Sequence, residues 1–384
     1  MRGALKYTDL VAKRKASSPK SRSSSKQGAP LNLFDYERAA KRKLAPAAWA
    51  YISGGAADEI TLRWNRQALE RIALWPRVLV DVSRIDTGLT LLGEKLAFPI
   101  LLAPAAMHRI AHREGEVATA RGAGEAGALL IVSSAATTAI EEIARAASGP
   151  LWFQLYVQRD RGFTRALVER VVAAGCRALC LTVDTPVIGI RDREVRAGYR
   201  LPPGLKMPNL LGAYEESDRA PHRPSEDAVY SAALEPALTW KDIGWLRSFA
   251  RVPIVLKGIL HPGDAEHAVA EGADGIIVSN HGARNLDTTP ATIDALPQVA
   301  EKVGGRIPVL MDGGIRRGTD VLKALALGAN AVLIGRPYLY ALAVGGAAGV
   351  TRSVRILHRE LVMAMALSGT TSLAGVDRSV IFGG

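Results

Sequence analysis

Gly275-Ile276-Ile277-Val278-Ser279-Asn280-His281-Gly282-Ala283-Arg284-Asn285-Leu286-Asp287 begins as an apolar run and ends in polar, chemically capable residues. Its first four residues show no alternation of apolar and polar side chains. That is how a strand buried on both faces reads, as in a parallel sheet. A glycine separates His281 from the Ala283-Arg284 pair, and all of them fall in the first turn after the strand.

The same pattern recurs along the chain. Short apolar runs stand at 99–104, 129–134, 151–156, 178–184, 253–258, 275–280, 308–313 and 331–336. Between most of them lie stretches with helical spacing, at 114–126, 137–147, 163–174, 262–271, 290–303 and 318–327. Eight alternating units predict an α/β fold, a (β/α)8 TIM barrel, with 33–81 as an N-terminal helical cap. The longest connection, 191–240, follows the fourth strand, is rich in proline, and is expected to be a lid. A doubly wound sheet would carry Gly-x-Gly-x-x-Gly directly after an early strand, and none of the early runs is directly followed by one.

The 384 residues are 48% hydrophobic, enough for one large core. The apolar runs, such as Ile100-Leu101-Leu102-Ala103, are too short to span a bilayer. The +12 net charge is uneven. Residues 1–30 hold eight Lys and Arg against Asp9 alone and are rich in serine. Residues 1–31 are therefore expected to be a disordered basic tail ahead of a single domain over 32–384. A solvated tail is the default for it. No nucleic-acid partner is expected, and an organelle-addressing leader is the alternative to a cytoplasmic location. Cys176 and Cys180 have no neighbouring His or Cys, so no metal site is expected; they read as core residues in a reducing compartment.

In a (β/α)8 barrel the active site forms where strands end and βα loops begin. Here the runs end in Ser133, Gln154, Tyr156, Thr182, Asp184, Lys257, Ser279, His281, Asp312, Gly314 and Arg336. Any one of these could merely cap a helix, but a structural barrel has no need to gather so many on one rim. Two sets separate. Asp312-Gly313-Gly314-Ile315-Arg316 after the seventh run and Gly335-Arg336-Pro337 after the eighth suit a phosphate. Their glycines let amides approach, a helix start adds a favourable dipole, and the arginines add charge-assisted bonds. Arg284 and Arg191 suit a carboxylate, with Tyr51 and Tyr156 as hydrogen-bonding partners. His281 reads as a base, Asp184 as its partner, and Lys257 as a positive charge beside a group that becomes anionic.

These motifs resemble the FMN-dependent α-hydroxy-acid oxidase and dehydrogenase family over about 33–373. Ser279-Asn280-His281-Gly282-Ala283-Arg284 carries the resemblance most specifically. It is supported by Tyr51 before Gly54-Gly55-Ala56, Phe153-Gln154-Leu155-Tyr156, Leu256-Lys257-Gly258 and Asp312-Gly313-Gly314. The resemblance implies FMN as cofactor. Ser133, Gln154, Thr182, Ser279 and Lys257 would then lie at the flavin ring, and Ala103, Pro104 and Ala105 along its face. Asp312, Gly314, Arg316, Gly335 and Arg336 would hold ribityl and phosphate. It implies His281 as base with Asp184, Arg191 and Arg284 on the substrate carboxylate with Tyr51, and Tyr156 on the hydroxyl side. The expected reaction is oxidation of an (S)-2-hydroxy acid to the 2-oxo acid. O2 is the expected acceptor and gives hydrogen peroxide; a quinone or cytochrome is the alternative. A homotetramer is implied as well. An FMN-dependent barrel isomerase would need no carboxylate clamp. Glycolate oxidases place a tryptophan where this chain has Ala135, which predicts room for a side chain of lactate size or larger.

Overall fold

The computed structural model describes residues 29–211, 229–230 and 234–383. Most of the basic tail, and 212–228 and 231–233 of the long connection, lie outside the described residues. Every element below falls in the unit Leu31–Gly384.

Eight parallel strands close in chain order into a barrel: Ile100–Leu102, Leu130–Ser133, Leu151–Leu155, Leu179–Thr182, Ile254–Ile259, Gly275–Val278, Val309–Met311 and Ala331–Ile334. The last strand pairs with the first, Val332 opposite Ile100, which seals the cylinder. Each strand sits at one of the predicted apolar runs. Helices cover the outside, and outward residues such as Val132, Phe153, Leu256 and Val278 pack under them.

Strand side chains alternate between the two faces. Leu101, Ile131, Trp152, Cys180, Val255, Ile277, Leu310 and Leu333 point inward and form a core of their own. Two residues further along each strand, the next inward positions are Ala103, Ser133, Gln154, Thr182, Lys257, Ser279, Asp312 and Gly335. Leu129, Ala178 and Ala331 lie below this layer in the same core, and above it the side chains become polar or very small. The antiparallel hairpin Leu89–Leu91 with Glu94–Leu96 contributes Leu91 and Leu96 to the same inner core.

The cap differs in part from expectation. Helices Leu33–Lys43, Pro46–Ser53 and Ile60–Arg71 form as predicted, but helix does not continue to residue 81. From Ala73 onward the backbone bonds instead to the C-terminal region: Trp75 N to Val380 O at 2.9 Å, Asp86 N to Thr371 O at 2.8 Å, and Phe382 N to Ala73 O at 3.0 Å. Pro76 cannot donate a helical hydrogen bond, and these distant carbonyls supply the partners the segment needs.

Candidate active site

A cavity opens at the C-terminal ends of the strands, where the βα loops begin. Of the residues singled out from sequence, all but Asp184 and Ser279 line it, including Tyr51, Ala105, Ala135, Tyr156, Arg191 and Arg316. Those two sit directly behind the wall.

The floor is a hydrogen-bonded band. Ser133 Oγ donates to Gln154 Oε1 at 3.2 Å, and Gln154 Nε2 donates to Thr182 Oγ1 at 3.1 Å. Lys257 Nζ donates to Ser279 Oγ at 2.9 Å and lies 3.3 Å from Asp312 Oδ2. Ser279 is fully buried and also accepts from His281 N at 3.1 Å, so it braces Lys257 and the His281 turn instead of lining the cavity. Burial works against the Lys257 ammonium, but Asp312 and Asp184 outweigh it and raise its pKa, so the charge stays. Asp312 Oδ1 is buried without a partner among the described residues, an acceptor suited to a ribityl hydroxyl.

The phosphate end departs from the sequence reading. No helix start after the seventh strand is open to an anion. The amides of Arg316 and Arg317 already bond Asp320 Oδ2, at 2.8 and 2.9 Å, and that of Gly318 bonds Glu360 Oε2 at 3.0 Å. Asp320 caps that helix from within and Glu360 from the helix Arg336–Leu367. The helix start at the cavity is that of Arg336–Leu367, whose cap residue Gly335 has no side-chain bond. Among the described residues Arg336 bonds only carbonyls, Nε to Ile52 O at 3.0 Å and Nη2 to Gly54 O at 2.7 Å. Burial lowers its pKa to about 10, which leaves it a cation at neutral pH with no carboxylate on it. Such a guanidinium fits a phosphate, and Gly282 lets it come close: a Cβ there would meet Arg336 Nη1 at 3.0 Å.

The substrate side is built from loops. His281, Gly282 and Ala283 all adopt left-handed backbone, with φ of 57°, 61° and 61°. For non-glycine residues this costs about 1 kcal/mol or more each. It is held by Ser279 Oγ on the His281 amide, and by Asn280, whose side chain accepts from Ala283 N at 3.1 Å and pairs with Asn65. The turn aims the imidazole inward. His281 Nδ1 is 2.8 Å from Asp184 Oδ1, and Nε2 is 3.3 Å from the Tyr156 hydroxyl. Burial lowers the His281 pKa, with Lys257 and Arg191 acting the same way and Asp184 opposing them, so the ring is neutral near pH 7. Burial alone would raise the Asp184 pKa; His281 and Lys257 overcome it and hold the carboxylate ionised. A neutral imidazole oriented by an anion is the form a general base requires.

Arg284 and Arg191 stand beside it. Arg284 Nη1 donates to Tyr51 O at 2.7 Å and Gly54 O at 3.0 Å, and its guanidinium lies 4.9 Å from the centre of the Tyr51 ring. Several contributors were not singled out from sequence. Glu194 accepts from Arg284 Nη2 at 2.7 Å. Thr185 Oγ1 lies 3.3 Å from His281 Nδ1, and Asn285 Nδ2 donates to Asp184 O at 2.8 Å. Glu194 lies three residues after Arg191, the spacing of a helical ion pair; that signal was present in the sequence. Thr185 and Asn285 act through local geometry that spacing does not encode. Of the connection read as a lid, Arg191 lines the cavity, and the helix Asp192–Arg196 that follows it carries Glu194 against Arg284.

Barrel, anion-binding end and base–carboxylate pair define a flavin enzyme of one kind, and the chain belongs to the FMN-dependent dehydrogenase family, whose model matches residues 40–382. It is 51% identical to an L-lactate oxidase of Nostoc sp. over 92% of this chain and 98% of that protein. It is 48% identical to glycolate oxidase 1 of Oryza sativa subsp. indica over 92% and 96%. A crystal structure of mandelate oxidase with (S)-4-hydroxymandelic acid superposes with a TM-score of 0.86 at 39% identity, covering 92% of this chain and 98% of that one. The chain is an FMN-dependent oxidoreductase that oxidises 2-hydroxy acids.

Proposed function

We propose that this enzyme oxidises an (S)-2-hydroxy acid of lactate size or larger to its 2-oxo acid and passes the electrons to O2, giving hydrogen peroxide. The observation that carries the site reading is the neutral His281 bonded to Asp184 beside two arginines in one cavity. Arg284 and Arg191 hold the substrate carboxylate, with Tyr51 alongside. Tyr156 hydrogen-bonds the substrate hydroxyl, and His281 Nε2 takes a proton from the substrate. Asp184 stabilises the resulting imidazolium. FMN, when bound, takes up the two electrons the substrate loses. Lys257 sets a fixed positive charge beside the ring position that gains negative charge. Ser133, Gln154 and Thr182 bond the ring edge, Ala103, Pro104 and Ala105 lie along its face, and Asp312, Gly314, Arg316, Gly335 and Arg336 hold ribityl and phosphate.

Relatives named as oxidases favour O2 over a quinone or cytochrome. Ala105 and Ala135 on the cavity wall favour a larger side chain, and the likeness to L-lactate oxidase and mandelate oxidase supports this. The domain occupies 32–384 behind a tail over 1–31. The exposed apolar residues Val78, Leu79 and Val80 offer a surface that self-association would cover, in keeping with the homotetramer the family resemblance implies. No described helix is long and apolar enough to cross a membrane. The buried free thiols of Cys176 and Cys180 suit the reducing cytoplasm.

Anaerobic mixing with glycolate, L-lactate and L-mandelate, followed by air, tests this. L-Lactate or L-mandelate should bleach the flavin about tenfold or more faster than glycolate, and air should restore the colour and form peroxide. A glycolate preference overturns the side-chain reading, and bleached flavin that stays reduced in air overturns the acceptor.

A further inference from the structure

We propose that Glu194 is a built-in counter-charge that weakens the grip of the arginine pair on carboxylates, so that the 2-oxo acid product can leave. The inference rests on the carboxylate-clamp reading above. Glu194 is only 7% exposed, on the short helix Asp192–Arg196 that opens directly after Arg191. Its Oε1 lies 2.7 Å from Arg284 Nη2 and 3.8 Å from Arg191 Nη1, so one carboxylate faces both guanidiniums. Without it, two cations would sit together away from water. The Arg191 pKa is already lowered by burial and by Arg284.

Counting donors shows what a ligand would find. Arg284 uses both Nη1 hydrogens on Tyr51 O and Gly54 O, and one Nη2 hydrogen on Glu194. Its Nε and its second Nη2 hydrogen have no partner among the described residues. Arg191 uses Nε on Arg284 O at 3.3 Å, and among the described residues its Nη groups come no closer to an acceptor than the 3.8 Å approach to Glu194. An incoming carboxylate therefore need not displace Glu194. It joins it, and two carboxylates share two guanidiniums. The clamp presents a net charge of one, matched to a monocarboxylate, where the arginines alone would present two.

Substrate and product carry the same carboxylate. A stronger clamp would tighten both alike, lowering KM and slowing product exit with no gain in the chemical step. Glu194 sets that strength. The arginine does not depend on Glu194 for its place: two carbonyls hold Arg284, and it lies over the Tyr51 ring, itself stacked on Tyr199 at 4.5 Å. Loss of the charge should thus leave the geometry standing.

The test is titration of the FMN-loaded E194Q enzyme with acetate and with pyruvate, followed by flavin absorbance and calorimetry. The carboxamide oxygen still accepts from Arg284, so only charge is lost. Acetate should bind about five- to fifty-fold tighter than to wild type. KM for L-lactate and the pyruvate inhibition constant should fall in parallel, and E194D should restore wild-type affinity. A merely structural role predicts the opposite, weaker binding and higher KM. Should E194Q fail to fold, E194S, which admits water beside the guanidiniums, reads the same quantity. Unchanged or weaker acetate binding in a variant that retains FMN overturns the role of Glu194. Wild-type enzyme that binds neither anion overturns the clamp reading itself.

Discussion

Lys257 and His281 reach the same cavity, yet the chain delivers them differently. Lys257 is an inward position of a strand, two residues after Val255, and its direction follows from the pleat. His281 lies three residues beyond its strand and points inward because three successive residues adopt left-handed backbone. The floor shares Lys257's logic: Ser133, Gln154 and Thr182 also lie within strands, and Ala103, Ser279, Asp312 and Gly335 each lie one residue past a strand end. The substrate wall shares that of His281: Tyr51, Arg191 and Arg284 come from a cap helix and two loops, tied together by side-chain and carbonyl bonds. The floor is as rigid as the barrel, and the wall is only as good as its network. Holding cofactor and handling substrate are thus separable, and mutations should sort accordingly.

The largest effect tests the wall. His281→Ala should retain FMN, since the floor is untouched, while kcat falls about 10²–10⁴-fold or more, the usual cost of losing a general base. Turnover near wild type would remove the imidazole from the reaction. Loss of FMN together with activity would break the division between floor and wall.

The same division explains what the sequence revealed. The barrel was legible because buried parallel strands leave apolar runs, and the floor because each run ends in a polar or small residue. Lys257, Gln154 and Asp312 could be placed by counting two from an apolar neighbour. His281 and Arg284 were legible by chemistry and family resemblance, not by periodicity. Their supports were not. Asn285, Thr185 and the carbonyls of Tyr51, Ile52 and Gly54 act through contacts between segments far apart in the chain. Which of the two helix starts faces the cavity was not legible for a related reason: the spacing of glycine and arginine does not say that Asp320 turns back to cap the amides after strand seven. The 72–81 segment was misread because its hydrogen-bond partners lie at the far end of the chain.

The next effect tests the cofactor-holding side, at the residue that follows the floor position Gly335. Among the described residues Arg336 bonds only backbone carbonyls. Arg336→Met removes a charge-assisted contact to phosphate, so FMN should bind about ten- to a hundredfold more weakly. With FMN in excess, KM for the acid should return close to the wild-type value. FMN retention equal to wild type would show that Arg336 does not hold the phosphate.

The smallest effect is a displacement of a pH profile. The folded pKa of His281 lies below its ordinary value, chiefly through burial, so the neutral imidazole predominates at neutral pH. As pH falls through that lowered pKa the imidazole protonates, and kcat/KM should drop along an acid limb centred below about 6.5. Asp184 acts against burial by favouring the protonated ring. Asp184→Asn removes that charge while keeping an oxygen near Nδ1, so the limb should move further toward acid even as the rate declines for want of imidazolium stabilisation. A structural disturbance that admitted water to His281 would relieve its desolvation and move the limb toward neutral. The direction of the shift therefore distinguishes electrostatic pairing of Asp184 with the base from a packing role behind the wall.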